Sequence, residues 1–257
     1  MMLDTALVAL LATFWCMIVA YVLAMLARNL AVVDVFWGPA ILVACTAALW
    51  FNRLGSVRGY VAFMLVSLWA LRLAVHLGLR TIESQAEDWR YARLRARWGT
   101  WTPLIAFFQV FVLQAVLAVV VALPVLWILA SPSTAMRLID WLAVALWGVG
   151  FVWEFVADIQ LTRFLADRRN KGAVLMKGLW KLSRHPNYFG ELTQWWALWL
   201  LATAVPGGWA SVAGPVLLTI LIVRVSGIAL TESVSKRRPQ YARYIARVPA
   251  LIPRLLK

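Results

Sequence analysis

The chain has 257 residues, of which 63% are hydrophobic and only 14% are charged, and its formal net charge is +14. A soluble domain carries about 25% charged residues, so this composition excludes an ordinary soluble fold. The two cysteines lie in apolar stretches and exclude a disulfide-rich scaffold. The sequence therefore predicts an all-α integral membrane protein, with one membrane domain over residues 1–257 and short amphipathic cytoplasmic segments.

Apolar stretches long enough to cross a bilayer occur about seven times. A spanning helix needs about 20 mostly apolar residues. The stretches that qualify lie near residues 6–26, 31–51, 59–79, 104–130, 138–162, 188–206 and 209–230. We therefore expect about seven transmembrane helices in chain order.

The distribution of basic residues predicts the orientation of these helices. With the N-terminus outside, 20 of the 25 Lys and Arg residues fall in cytoplasmic connections and three fall on the opposite side. Positive residues accumulate on the cytoplasmic side of membrane proteins, so we expect a multi-pass membrane protein with a cytoplasmic C-terminus. The same charges attract anionic membrane lipids. Because they flank membrane spans without a reading module, we expect no nucleic-acid partner. The oligomeric state is not indicated.

Two carboxylates in the fifth apolar stretch are candidates for a functional site. Glu154 and Asp158 are four residues apart and share one helical face. Ionisable groups at membrane depth are costly and need a partner or a polar cavity. Two interpretations stay open at this point: the carboxylates pair with Arg72 or Arg224 as structural contacts, or they bind hydroxyl and amide groups of a ligand.

The segment around Pro186 predicts the start of a helix beside two basic residues. Proline suits the first turn of a helix, and Arg184 and His185 come directly before it. Free backbone N–H groups at a helix start, together with positive side chains, form a site suited to phosphate. The sequence therefore indicates an anion site at this point.

Polar residues continue along one face of the same helix. Asn187, Glu191 and Gln194 are three and four residues apart, so they point in one direction. A phosphate site above and amide-pairing groups below would suit a nucleotide-like cofactor lying along the helix. The structural alternative is a capped helix whose charged side chains reach the membrane interface.

Three motifs in the second half of the chain resemble those of a known family. They are Glu154-x-x-x-Asp158-x-Gln160-Leu161, Gly178-Leu179-Trp180-x-x-Ser183-Arg184-His185-Pro186-Asn187-Tyr188-Phe189-Gly190-Glu191, and the tail Lys236-Arg237-Arg238-Pro239-x-Tyr241-x-x-Tyr244. With these motifs the chain resembles the steroid 5-alpha-reductase C-terminal-domain family, especially its bacterial members of unassigned substrate. The resemblance is strongest over residues 136–257.

The resemblance implies a seven-helix reductase that holds NADPH in a cavity open to the cytosol. Such an enzyme passes hydride to a carbon–carbon double bond conjugated to a ketone, in a steroid-like or related lipid, and its tail closes over the cofactor. The resemblance and the helix start together suggest these cofactor-binding residues: Arg72, Arg90, Glu154, Asp158, Arg168, Arg169, Arg184, His185, Asn187, Tyr188, Glu191, Arg237 and Tyr241. Glu154 stands where the family has an asparagine, and no set of metal ligands is expected.

The hydrogen-bond donor to the substrate ketone departs from the family pattern. The family uses a glutamate on the second helix and a tyrosine on the third, and Trp37 and Trp69 stand at those positions here. A developing enolate needs a donor in place. The candidates are Asp34, if burial keeps it protonated, and the hydroxyls of Tyr91 and Tyr188.

Two other functions are compatible with parts of the sequence. The run Arg184-His185-Pro186-x-Tyr188 also resembles membrane methyltransferases of the isoprenylcysteine and phospholipid type, which bind S-adenosylmethionine. A lipid-binding or transport protein is the non-enzymatic alternative. The pair of carboxylates before this run, and the basic residues Arg90, Arg168 and Arg169, suit a phosphorylated cofactor and favour the reductase.

Overall fold

The protein is mainly helical over the part of the chain that its computed structural model describes, residues 1–53, 56–84, 86–132, 135–235 and 239–254. Those residues form no strand, so the all-α prediction is confirmed. The α-helices are α1 (Met2–Leu26), α2 (Val32–Asn52), α3 (Val57–Ser84), α4 (Trp89–Trp98), α5 (Thr102–Ala106), α6 (Leu113–Leu129), α7 (Leu138–Ala166), α8 (Pro186–Ala202), α9 (Ala213–Ile220), α10 (Ile228–Ser235) and α11 (Pro239–Arg247). Two π-helical turns, Phe107–Val112 and Leu221–Val225, join α5 to α6 and α9 to α10.

Six helical stretches of the described chain are long and apolar enough to cross a membrane. They are α1, α2, α3, the run from α4 to α6, α7, and the run Gly208–Glu232. The remaining predicted span, 188–206, corresponds to α8, which has 17 residues and is therefore about 25 Å long at 1.5 Å per residue. The chain is a multi-pass membrane protein in which this helix is shorter than the six spanning stretches.

The early end of α8 has a local cause. The sequence predicted a span over 188–206, whereas the helix ends at Ala202. Pro206 has no backbone N–H to continue a helix, and Gly207 adopts a left-handed φ of 70°. The N–H of Gly208 donates to the carbonyl of Val205 at 3.1 Å. The chain therefore turns back after Ala202.

The described chain divides into two compact units, of which the first is Met1–Arg137 with Ala202–Gly214. Within it, α2 packs against α1, α3 and α6. Small residues allow such helices to approach closely in a membrane. A Cβ added to Gly38 on α2 would lie only 2.7 Å from the carbonyl oxygen of Ala70 on α3. The backbones of α2 and α3 are therefore almost in contact.

The second unit is Leu138–Leu201 with Pro215–Lys257. A short 3₁₀ turn, Gly178–Lys181, packs against α7 in this unit. The indole N–H of Trp180 in that turn donates to the carbonyl of Ala157 on α7 at 3.1 Å. This contact fixes the connection between α7 and α8 to the side of α7.

Candidate functional site

Helices α7 and α8 cross at two glycines in the second unit. A Cβ added to Gly190 on α8 would lie 2.6 Å from the backbone nitrogen of Glu154 and 2.7 Å from the carbonyl oxygen of Gly150. A Cβ added to Gly150 would lie 2.8 Å from the carbonyl oxygen of Gly190. The two helices are therefore in close contact at Gly150 and Gly190, which brings the side chains of α7 within reach of α8.

The two carboxylates of α7 meet amide side chains of α8 at this crossing. The Nε2 of Gln194 donates to Oε2 of Glu154 at 2.6 Å, and the Nδ2 of Asn187 donates to Oδ1 of Asp158 at 3.2 Å. Glu154 and Asp158 are 3% and 6% exposed. The structure thus joins the two polar rows that the sequence placed separately on α7 and α8, and we call these four residues the α7–α8 amide ladder.

The oxygen of each side-chain amide in the ladder has no hydrogen-bond partner in the part of the chain that the structure describes. Among the described residues, neither Oδ1 of Asn187 nor Oε1 of Gln194 accepts a hydrogen bond, and both atoms are buried. Buried polar atoms in proteins are almost always paired, so an exception needs an explanation. Two acceptors on one helix face are suited to a ligand that donates hydrogen bonds.

Glu191 and Tyr188 lie on α8 between and beside the ladder residues. Both side chains are half-buried. The ring of Tyr188 stacks on the ring of His185 with centroids 5.4 Å apart and planes 11° from parallel. The structure therefore brings Asn187 to Asp158 and Tyr188 to His185.

Two backbone N–H groups just before α8 are engaged by the tail of the chain. The backbone N–H of Arg184 donates to the carbonyl of Pro249 at 2.9 Å, and that of His185 donates to the carbonyl of Ala250 at 3.1 Å. These two groups are therefore not available to an anion. They precede Pro186, the first residue of α8, so the anion site at the first turn of the helix stays a prediction.

The guanidinium of Arg184 is also engaged by the chain itself. Its Nε donates to Oε1 of Glu232 on α10 at 2.7 Å, and its Nη1 donates to the carbonyl oxygens of Ile245 and Val248. The side chains of Arg184 and Glu232 are each 9% exposed. A buried guanidinium needs charge pairing and hydrogen bonds, and here both come from α10 and the tail rather than from a ligand.

His185 shares the same carboxylate. Its Nε2 lies 3.4 Å from Oε1 of Glu232. Burial lowers the pKa of His185 below its usual value, and the Glu232 carboxylate opposes this shift only in part. The imidazole is therefore neutral at physiological pH, so it adds no positive charge to an anion site.

The tail packs against the segment before α8 through several hydrogen bonds. The hydroxyl of Ser183 donates to the carbonyl of Leu251 at 2.8 Å, and the hydroxyl of Tyr244 donates to the carbonyl of Trp180. Tyr241 on α11 is buried, and burial raises its pKa to about 12. Arg237, also predicted at the cofactor, lies outside the described residues.

Arg168 and Arg169 lie in a 3₁₀ turn after α7 and are exposed. The Nη2 of Arg169 pairs with Oδ2 of Asp167 at 2.8 Å, and hydrogen bonds from this side chain lower the pKa of Asp167. The Arg169 side chain is 90% exposed. Both guanidinium groups are accessible to an anion from solvent.

In the first unit, Asp34 forms a compact cluster with two other predicted residues. The Nη2 of Arg90 donates to Oδ2 of Asp34 at 2.7 Å, and the hydroxyl of Tyr91 donates to Oδ1 at 2.6 Å. The Nε of Arg90 also donates to Oδ1 of Asp88 at 2.9 Å. Arg72 lies half-buried on α3 of the same unit.

Asp34 accepts hydrogen bonds on both carboxylate oxygens, one of them from the guanidinium of Arg90. The carboxylate thereby orients the Tyr91 hydroxyl, and its role as a donor to the substrate ketone stays a prediction. Asp34 also borders a cavity of about 210 Å³ together with Arg80, Glu87 and Arg90.

Two residues of the site are absent from the predicted cofactor contacts. Gln194 lies on the predicted polar face of α8, and its spacing from Asn187 is two helical turns. Glu232 belongs to none of the sequence motifs, and its partner Arg184 lies 48 residues earlier. Such a pairing depends on tertiary contacts, and no local pattern indicates it.

The comparison with known proteins assigns the chain to a family. Residues 20–248 match the family described as protein of unknown function (DUF1295). The chain belongs to this family. The family is related to steroid 5-alpha-reductase-like membrane proteins, which confirms the coarse part of the resemblance.

A similar protein is an uncharacterized protein of Schizosaccharomyces pombe, which is 28% identical over 89% of this chain and 74% of its own length. No solved structure matches the chain significantly. The region matched to the family contains the α7–α8 amide ladder and the Asp34 cluster, whereas the carbonyls of Pro249 and Ala250, which accept from the backbone N–H groups of Arg184 and His185, lie just beyond it.

Proposed function

We propose that this protein is a membrane-embedded NADPH-dependent reductase that acts on an activated carbon–carbon double bond of a lipid, such as a 3-oxo-Δ4-steroid-like enone. The observation that carries the proposal is the α7–α8 amide ladder with its two unpaired, buried amide oxygens. The family's relation to steroid-reductase-like membrane proteins supports the same function.

The chemistry of the ladder fits the reduced nicotinamide riboside half of the cofactor. That half presents an amide NH₂ group and ribose hydroxyls, which are hydrogen-bond donors. The free acceptors beside it would be Oδ1 of Asn187 and Oε1 of Gln194. Because a donor group of a ligand would satisfy atoms that the chain leaves unpaired, binding there would recover the cost of burying them.

The phosphates of the cofactor would fall to residues nearer the solvent. Arg168 and Arg169 are exposed and follow α7, the helix that carries Asp158. Guanidinium groups bind phosphate bidentately. We do not assign phosphate binding to Arg184, because Glu232 and the tail already bind its guanidinium.

When bound, the reduced nicotinamide would supply hydride to the β carbon of the enone. The electron pair of the double bond then moves toward the carbonyl oxygen, and a proton added to the α carbon completes the saturated ketone. In the second unit we assign that proton to the Tyr188 hydroxyl, whose ring His185 holds by stacking. The α7–α8 amide ladder positions the hydride donor, since geometry of the cofactor governs this chemistry.

The proposed setting is the bacterial inner membrane with the C-terminus in the cytoplasm, where NADPH is available. The excess of basic residues in the connections after α3, after α7 and in the tail supports this orientation. The substrate would be drawn from the bilayer, and membrane lipids would be the only other partners.

Ligand-dependent thermal stability of the purified protein tests the cofactor. A ligand that binds only the folded state raises the unfolding temperature. We expect NADPH to raise it and S-adenosylmethionine to leave it unchanged. The opposite result would replace the reductase by a methyltransferase.

We expect Asn187→Ala and Glu191→Ala each to weaken NADPH binding by about tenfold, because each removes a polar group that we assign to the cofactor. Titration of the purified variants with NADPH measures this. Thr193→Val is the matched control on α8, because its hydroxyl bonds only to the carbonyl of Phe189 among the described residues. Wild-type affinity in both alanine variants would show that these polar residues of α8 are structural.

A further inference from the structure

Helix α4 exposes a basic face that the proposed function does not use. The helix, Trp89–Trp98, contains four arginines and no acidic residue. Arg93 and Arg97 are four residues apart and both are exposed, so they lie on one face of the helix. Trp89, which is 43% exposed, lies one turn before Arg93 on the same face. We call Trp89, Arg93 and Arg97 the α4 outer face.

The opposite face of α4 is fastened to the rest of the first unit. The Nη2 of Arg90 pairs with Oδ2 of Asp34 at 2.7 Å, and the Nη2 of Arg95 pairs with Oε1 of Glu87 at 2.9 Å. Tyr91 is buried, and its hydroxyl donates to Oδ1 of Asp34 at 2.6 Å. These contacts fix the rotation of the helix about its axis, so the α4 outer face stays exposed.

The two arginines of the α4 outer face have no carboxylate partner among the described residues. The guanidinium of Arg93 lies over the ring of Trp89, with its Cζ 5.9 Å from the ring centroid. Such a cation–π contact attracts the cation but leaves its charge in place. Like charges one helical turn apart repel each other. A bound anion would relieve this repulsion, so the face is suited to an anionic partner.

The α4 outer face lies close to the point where the chain enters the membrane. The run Trp89–Leu129 has 41 residues, about twice the length that one span needs, so its basic first part does not have to lie in the hydrocarbon. Trp101, Leu104 and Phe108 follow and are exposed on a run that is apolar enough to cross a membrane. Tryptophan rings favour the membrane interface, so Trp101 marks the headgroup level.

The arginines are within reach of that level. Four residues of chain lead from Arg97 to Trp101, and four residues span at most about 14 Å. The long side chain of an arginine can extend toward the headgroups while its stem packs on apolar surface. The basic face and the lipid-facing residues are therefore neighbours on one side of the membrane.

We propose that the α4 outer face binds the headgroups of anionic phospholipids in the cytoplasmic leaflet, the side on which the basic residues place α4. Each basic residue close to an anionic membrane surface strengthens binding about fivefold. Trp89 and Trp101 act as interface anchors at the two ends of the face. The inference does not depend on the reductase function, because α4 belongs to the first unit and the amide ladder belongs to the second.

A phospholipid fits this surface better than a soluble anion does. Its phosphate would meet Arg93 and Arg97, while its acyl chains would lie against the exposed side chains of Leu104 and Phe108. A soluble phosphate would gain only the contacts with the arginines. One lipid molecule thus matches both the charge and the apolar residues that follow it along the chain.

Lipid binding by the purified full-length protein tests the proposal. The protein in detergent is titrated with dioleoylphosphatidylglycerol or with zwitterionic dioleoylphosphatidylcholine, and bound lipid is measured by native mass spectrometry. We expect wild type to prefer phosphatidylglycerol, and Arg93→Gln combined with Arg97→Gln to bind that lipid at least about tenfold more weakly. Binding of phosphatidylcholine should stay the same. Absence of a preference in wild type, or wild-type affinity in this double variant, would overturn the proposal.

The matched control is Arg243→Gln combined with Arg247→Gln on α11. These two arginines are also exposed and four residues apart, so the control loses the same charge from an exposed helical face that has no tryptophan. We expect it to bind phosphatidylglycerol as wild type does. An equal loss of affinity in both double variants would show general charge attraction and would overturn the α4 outer face as the site.

Two further measurements separate charge, folding and the source of the phosphate. Arg93→Lys combined with Arg97→Lys keeps the positive charge but loses the guanidinium geometry. We expect its affinity to lie between those of wild type and the glutamine variant, and an affinity as low as that of the glutamine variant would contradict a charge-based site. Glycerol 3-phosphate at the same concentration as the lipid should not displace phosphatidylglycerol. Displacement would reassign the surface to a soluble phosphate.

Discussion

Arg184 is used differently from what its motif suggests. Next to a helix start and a histidine, it predicted a phosphate site, and yet its guanidinium binds Glu232 and two tail carbonyls. Burying such a charge requires partners of this kind, because an uncompensated buried charge costs several kcal/mol, about 3–5 when one partner is removed. The residue type was correctly singled out, but its partner is the chain itself.

His185 makes the stability of the second unit depend on pH. Its pKa is lowered in the folded state by burial, so the unfolded chain binds the proton more tightly. The resulting stability is fully present above the unfolded value of about 6.5 and is lost as the pH falls through that value. We expect the unfolding temperature to be level from about pH 8 to 7 and to fall from about pH 6.5 to 5.5.

The check is a series of thermal unfolding curves on wild type and His185→Phe. The variant has no imidazole to protonate, so its unfolding temperature should fall less steeply over the same pH range. It keeps an aromatic ring to stack on Tyr188. Equal slopes in the two proteins would assign the pH dependence to other groups.

At the scale of helices, the crossing of α7 and α8 depends on the absence of side chains at two positions. We expect Gly190→Ala to destabilise the protein by about 1–3 kcal/mol, as overpacking typically does, because its Cβ would meet backbone atoms of Gly150 and Glu154. Separation of the two helices should also lengthen the hydrogen bonds of the amide ladder and thereby weaken NADPH binding. Denaturant or thermal unfolding in detergent measures the first effect.

Gly148→Ala is the matched control for this prediction. It lies on the same helix as Gly150, and nothing stands within 4 Å of its added Cβ. The substitution should stabilise α7 by about 0.5–1 kcal/mol through helix propensity. If both alanine variants behave alike, the close crossing has no energetic weight.

The sequence predicted the helices better than their contacts. The lengths of the apolar stretches gave the spans, because a bilayer imposes a minimum length on each helix. The end of α8 was not predicted correctly, because the apolar stretch continues past Ala202. Pro206 and the left-handed Gly207 end the helix earlier than that composition indicates. The hydrogen bonds of the ladder could not be predicted from the sequence, because they depend on where α7 and α8 cross.

At the scale of the whole molecule, the number of crossings decides the relation between the two ends of the chain. If α8 crosses together with the six longer stretches, the ends lie on opposite sides of the membrane; without α8 they lie on the same side. The basic residues favour opposite sides, with the tail in the cytoplasm. Labelling of engineered cysteines with a membrane-impermeant maleimide tests this.

We expect Asp4→Cys to be labelled from outside intact cells and Arg243→Cys only after the cells are opened. Both positions are exposed, and the natural Cys16 and Cys45 lie within α1 and α2, which protects them from a reagent that stays in water. Labelling of both engineered cysteines from the same side would mean an even number of crossings.

The tail contacts at the start of α8 also bear on how the chain is assembled during synthesis. The tail carbonyls that accept hydrogen bonds from Arg184 and Ser183 belong to residues made more than 60 positions later. While the last membrane helix is still being translated, the segment before α8 lacks its contacts with the tail, and the guanidinium of Arg184 lacks its tail acceptors. The ribosome must therefore complete the tail before this helix reaches its final position, so stalled or shortened chains would expose the segment before α8 to quality-control proteases.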